Sequence, residues 1–132
     1  LPGITTVLMG ITGSAFLLDK VATEFYDPAE VRAFREQYRL QMEYRGFARA
    51  VVSTIRHGML GTFASTYAQL AALQKDILLI WGEDDPTIPF ERSRDLLLLL
   101  RQARFLAVPR GGHVPHFQRP EIVHPSLLEF LN

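Results

Sequence analysis

The chain has 132 residues, with 14 Lys and Arg set against 14 Asp and Glu, 48% hydrophobic and 21% charged. That is the balance of a soluble globular domain, and it lacks the basic stripe that nucleic acid requires. There is no Cys, which excludes disulfides, thiolate metal ligands and a cysteine nucleophile. Cys-free chains occur on both sides of a membrane, so the compartment stays open, with the cytoplasm favoured. No apolar run approaches the roughly 18 residues of a spanning helix. The chain starts at Leu1 rather than Met, so a cut or processed N-terminus is expected.

In chain order, residues 14–25 read as a helix. Asp27-Pro28-Ala29-Glu30 is a helix start: Asp27 can cap, Pro28 suits the first position, and Glu30 sits where a capping box needs it. Val31, Phe34, Tyr38 and Met42 then recur at helical spacing, up to a stop or kink at Gly46. Phe47, Ala50, Val51, Thr54 and Ile55 form a second amphipathic stripe, ending near Gly58. A short helix is expected over 64–73.

From about residue 76 the pattern changes. Ile77 to Trp81 is a short apolar run closed by Gly82, the mark of a strand covered on both faces. Pro89 to Arg101 reads as a helix with Pro89 and Glu91 in its first turn. Phe105 to Val108 is a second buried strand, and Pro120 to Leu131 a terminal helix. Strand–helix–strand makes a right-handed parallel crossover, and the class is α/β. Two strands do not make a covered parallel sheet, so part of the molecule is expected to be missing. The five leucines Leu96 to Leu100 agree: they wrap most of a helix, and one side must find a partner beyond the sheet.

Two loops carry the chemistry, each just past the C-terminal end of a strand, where open α/β sheets place their ligands. The first is Trp81-Gly82-Glu83-Asp84-Asp85-Pro86-Thr87-Ile88-Pro89. The second is Pro109-Arg110-Gly111-Gly112-His113-Val114-Pro115-His116-Phe117. The strand connectivity puts both loops at one sheet edge, so Asp85 and His113 can meet. A histidine there can take the proton of a nucleophile near neutral pH, and a carboxylate on its other nitrogen fixes the tautomer. Gly111 and Gly112 leave room around the ring.

Together these motifs resemble the α/β-hydrolase superfamily: strand–W-G-x-x-D-x-x-x-P, strand–x-x-G-G-H-x-P-H, then P-E and a terminal helix. In that family the catalytic order along the chain is Ser, acid, His. The resemblance implies that Asp85 is the acid and His113 the base, with Asp84 as the substitute acid. It implies a partial α/β-hydrolase fold: a helical cap or lid over 1–75, then the last strand–helix–strand–helix of the parallel sheet over 76–132. Tyr38 to Phe47 is similar to lids of the lipase/esterase-like branch. Gln118 stands where relatives often carry an acidic residue.

One part of the family pattern is absent. No G-x-S-x-G occurs, and Gly10-Ile11-Thr12-Gly13-Ser14 places its serine after the second glycine. No H-G-G-G loop for an oxyanion hole is present either. The chain is therefore expected to be the C-terminal portion of a serine hydrolase acting on an ester or related carboxylic bond, its nucleophile elsewhere. The alternative is a non-catalytic pseudo-hydrolase serving as an interaction module. The expected partners are a small apolar ester and either the missing N-terminal half or a second copy. No cofactor and no metal site is expected: the histidines lack H-x₃-H spacing. His116 reads as packed or hydrogen-bonded, His57 as a charge at a helix end, and His124 as surface. The aromatics and methionines Phe16, Phe25, Tyr26, Phe34, Tyr38, Met42, Tyr44, Phe47 and Met59 read mostly as lid core, with a minority facing substrate.

Overall fold

A computed structural model describes residues 13–58 and 61–132; Ser14 and Phe16 as side chains, Gly10 to Thr12 and Met59 lie outside what it describes. Contacts between residues divide the chain into two compact units.

The first unit is helical. It contains α1 (Gly13–Ala22), a short 3₁₀ turn (Pro28–Glu30), α2 (Val31–Met42) and α3 (Phe47–Arg56). The Asp27 carboxylate accepts the Ala29 N–H at 2.8 Å and Pro28 occupies the first position, so the cap expected from the sequence starts the turn that leads into α2. Val31 is buried, and Phe34, Tyr38 and Met42 continue its half-buried stripe. Tyr38 stacks on Phe34 and meets Phe47 of α3 edge to face, with centroids 6.3 and 5.9 Å away. Helix α2 ends at Met42, before Gly46. That glycine adopts φ +94 and leads the chain into α3, a conformation open to glycine at little cost.

The second unit holds the sheet. It contains α4 (Ala64–Ala72), β1 (Leu78–Gly82), α5 (Arg92–Leu99), β2 (Arg104–Val108), α6 (Pro115–Gln118) and α7 (Pro120–Leu131), together with Glu24–Tyr26. β1 and β2 pair in parallel through α5, from Leu78 opposite Arg104 to Gly82 opposite Val108. Both loops after the strands therefore emerge at the same edge. Arg104 reaches Glu129 of α7 at 2.7 Å, which ties the end helix to β2.

Three expectations need correction. The helix after β1 runs only from Arg92 to Leu99: Pro89 and Phe90 form a turn, Glu91 is the cap, and Leu100 leaves helical angles (φ −104, ψ 61) to bury itself. The strands are not covered on both faces; among the described residues the sheet has two strands, β1 is half-buried until Gly82, and β2 is exposed at Arg104 and Phe105, half-buried at Leu106 and Ala107 and buried at Val108. An extra short helix, α6, forms at the end of the second loop, started by Pro115. Of the leucine run, Leu98 is 69% exposed while Leu100 is 2% exposed.

Candidate active site

The site begins where the two strands end side by side. Gly82 and the pair Gly111-Gly112 approach backbone to backbone, and a Cβ on Gly82 would overlap the carbonyl oxygens of both. This contact is why β1 ends in glycine. The two loops are then stitched together: the Glu83 N–H donates to the Val108 carbonyl and the Asp84 N–H to the Gly111 carbonyl, each at 3.0 Å.

Asp85 follows. Its side chain is 7% exposed, yet its carboxylate is well supplied with donors. Oδ1 accepts the N–H groups of Thr87 (2.8 Å) and Ile88 (2.9 Å). This local turn is what an Asp before Pro86 readily forms. The Trp81 indole N–H donates to the Ile88 carbonyl at 3.1 Å and braces the far side of the loop. Oδ2 is left pointing across to the second loop, where His113 Nδ1 lies 2.9 Å away.

His113 is held from its own backbone as well. Arg110 takes φ +53 to turn the chain out of β2. The Gly112 N–H donates to Gln118 Oε1 at 2.7 Å, and the His113 N–H donates to the Glu24 carbonyl at 2.8 Å. Beside them, Phe25 meets Phe117 edge to face at 6.0 Å. The imidazole is one-third exposed. An ionised carboxylate only accepts, so Nδ1 is the donor in the pair. Nε2 is then the nitrogen that can take a proton and hand it on, the geometry required of a base oriented by an acid.

The structure brings Asp85 and His113 together and leaves Asp84 out: the Asp84 amide binds Gly111, and its side chain is exposed. His116, expected to be packed or hydrogen-bonded, is exposed on α6. His57 ends α3 with Nδ1 2.7 Å from the Ser53 carbonyl, and His124 is exposed on α7. Among the described residues no three His, Asp or Glu side chains are grouped to share a metal ion. Sequence reasoning missed three supports: the Glu24 carbonyl, the Gln118 amide and the Trp81 indole. Gln118 had a weak signal, an amide standing where relatives often carry an acidic residue. Glu24 had none, because a backbone carbonyl looks the same in every residue.

A parallel α/β unit with a carboxylate and a histidine hydrogen-bonded at its strand ends is what these parts define. The family model of the alpha/beta hydrolase family matches residues 4–125, and the chain belongs to that family. The chain is similar to the provisionally named carbamate hydrolase RutD of Pseudomonas savastanoi pv. phaseolicola, 37% identical over 65 residues. It is similar to the uncharacterized hydrolase YugF of Bacillus subtilis, 32% identical over 63 residues. It is also similar to the provisionally named non-heme bromoperoxidase BpoC of Mycobacterium tuberculosis, 34% identical over 64 residues. These matches cover 49%, 48% and 48% of this chain, but only 25%, 23% and 23% of the relatives. The chain thus matches about a quarter of the length of each relative. No solved structure matches it. No helix among the described residues is long and apolar enough to cross a membrane.

Proposed function

We propose that the chain is the acid- and base-bearing portion of a serine hydrolase that cleaves an ester or related carboxylic bond. Asp85 is the acid, His113 is the base, and the serine lies in a part of the protein outside these 132 residues. The observation that carries the reading is the 2.9 Å contact between the buried Asp85 carboxylate and His113 Nδ1. In the reaction, His113 Nε2 takes the serine proton as the oxygen attacks the carbonyl carbon. It returns that proton to the leaving group, and water then repeats the cycle on the acyl-enzyme. Asp85 keeps the ring in the right tautomer and stabilises the imidazolium that forms.

Support for a carboxylic substrate is of two kinds. A carbamate, named for one relative, also presents a carbonyl carbon open to the same attack. The first unit by itself carries an apolar aromatic cluster of Phe34, Tyr38 and Phe47, in keeping with an apolar rather than a charged acyl group. A second reading, an interaction module without turnover, draws on the exposed Leu98, Leu128 and Leu131.

The test is labelling with a fluorophosphonate, which reacts only with an activated serine, read by intact mass. A longer polypeptide containing this sequence should take up one probe, and its His113→Ala variant should take up none. Labelling of the 132-residue chain alone would overturn the assignment of the serine to another segment. A longer polypeptide that stays unlabelled while folded would favour the interaction module.

A further inference from the structure

Residues 111, 112 and 113 are each tethered by a different part of the second unit. The Gly111 carbonyl accepts the Asp84 N–H, the Gly112 N–H donates to Gln118 Oε1, and the His113 N–H donates to the Glu24 carbonyl. The first tether joins the histidine loop to the acid loop. The third joins it to the segment Glu24–Tyr26. Only the middle tether ends on a side chain. Gln118 is 5% exposed, a rare degree of burial for this residue type, and it comes from α6, five residues beyond His113.

The loop has no slack. A Cβ on Gly112 would meet the Glu24 carbonyl oxygen, Gln118 Oε1 at 2.8 Å and the Tyr26 nitrogen at 2.9 Å. The Gly112 amide is thus pressed between the segment Glu24–Tyr26 and the Gln118 side chain. A buried N–H that loses its acceptor cannot turn to water and must move to find another. Asp85 cannot follow such a move, because its Oδ1 is pinned by Thr87 and Ile88. The hydrogen bond between Asp85 and the ring would then be strained at its histidine end.

We propose that Gln118 is a positioning residue for His113, acting through the Gly112 amide to hold the imidazole in register with Asp85. This rests on His113 being the base. Its role is to keep Nδ1–H on Asp85, and so Nε2 free of its proton, rather than to touch substrate.

The test uses the full 132-residue chain with ¹⁵N-labelled histidine, read by long-range ¹H–¹⁵N spectra near neutral pH. In the unaltered chain His113 should be almost wholly the Nδ1–H tautomer. Gln118→Met keeps the volume and removes the acceptor; it should give a mixture with the Nε2–H form. Gln118→Glu keeps an acceptor and should preserve the Nδ1–H form. If Gln118→Met does not fold, Gln118→Asn, which withdraws the same amide by one methylene, should show the same mixture. A folded Gln118→Met or Gln118→Asn chain with an unchanged His113 tautomer overturns the proposal. Asp85→Asn tells the two readings apart. If it shifts the tautomer while the Gln118 variants do not, only the role of Gln118 fails. If it too leaves the tautomer unchanged, the Asp85–His113 pairing fails with it. In the complete enzyme, Gln118→Met should lower kcat about 10²-fold with KM little changed, the scale of a misplaced catalytic group, and Gln118→Glu should recover most of it.

Discussion

The surface pairs of the helical unit and the candidate site of the strand-bearing unit use polar residues in opposite ways. In the helical unit they pair with one another on the surface: Arg39 with Glu36 and Glu43, Arg35 with Asp19, all at least 42% exposed. In the strand-bearing unit the polar groups of the site pair with backbone and are buried: Asp85 with two amides, Gln118 with a third. Exposed pairs are screened and lose side-chain entropy, so each is weak. Buried ones cannot be exchanged for water, so each is costly to break. The lesson is that the strand-bearing unit keeps fixed positions for side chains, as chemistry needs, while the helical unit mainly keeps its apolar stripe inward.

Substitutions can break that contrast at graded cost. The largest effect is expected at the pair itself: Asp85→Asn in the complete enzyme should lower kcat by about 10⁴, because the ring would favour the wrong tautomer. Steady-state kinetics with an ester substrate checks this, and a loss under tenfold would remove Asp85 from the mechanism. Next comes Gly82→Ala. Its Cβ would strike the backbone of both Gly111 and Gly112, and neither can step aside. About 3 kcal/mol or more of stability should be lost, read as a lowered midpoint in urea; a melt within error of the unaltered chain would show that the strand ends are not in contact.

Smaller still is Val123→Ala on α7. The side chain is fully buried, and removing two methyl groups should cost about 2 kcal/mol. The same melt detects it, and a neutral result would mean that α7 does not close the core. The smallest effect should be at the helical surface. The hydrogen bond from Arg39, and then its charge, hold the Glu36 carboxyl below its ordinary range. The folded value is depressed, so the stabilisation is present at neutral pH and fades as pH falls below the ordinary glutamate value of about 4.3. Glu36→Gln should therefore cost little at pH 7 and progressively less as pH falls below the ordinary glutamate range, and added salt should shrink the difference. A large, salt-independent loss at pH 7 would mean that this surface is as tightly built as the site.

Much of the fold is legible in the residues themselves. The two strands, the α/β class and the family follow from apolar runs and from two loops whose glycines, acid and histidine have few other readings. Helix α2 announces itself through Asp27-Pro28 and the spacing of its apolar residues. Three features are harder to read. Pro89, Glu91 and the leucines all favour helix, so local propensity makes α5 longer than it is; it does not say that Leu100 must turn inward. The strands are apolar on both faces, which suggests cover on both, but burial depends on what lies next to them. His116 sits in the active loop, which suggests packing, yet α6 turns it outward.

What the sequence determined by itself was local: which segments become strands or helices, and which residue types could act as acid and base. Backbone periodicity and side-chain chemistry are enough for that. The motif pointed to Asp85 rather than Asp84; what the tertiary structure added was the contact itself and the groups that steady it. Asp84 and Asp85 are alike as residues, and in the fold the Asp84 amide is drawn to Gly111 while the turn closed by Thr87 and Ile88 aims Asp85 at His113. The Glu24 carbonyl that holds the His113 amide comes from 89 positions earlier in the chain. A contact so distant along the chain leaves no trace in local pattern, because it is made by backbone atoms that every residue shares.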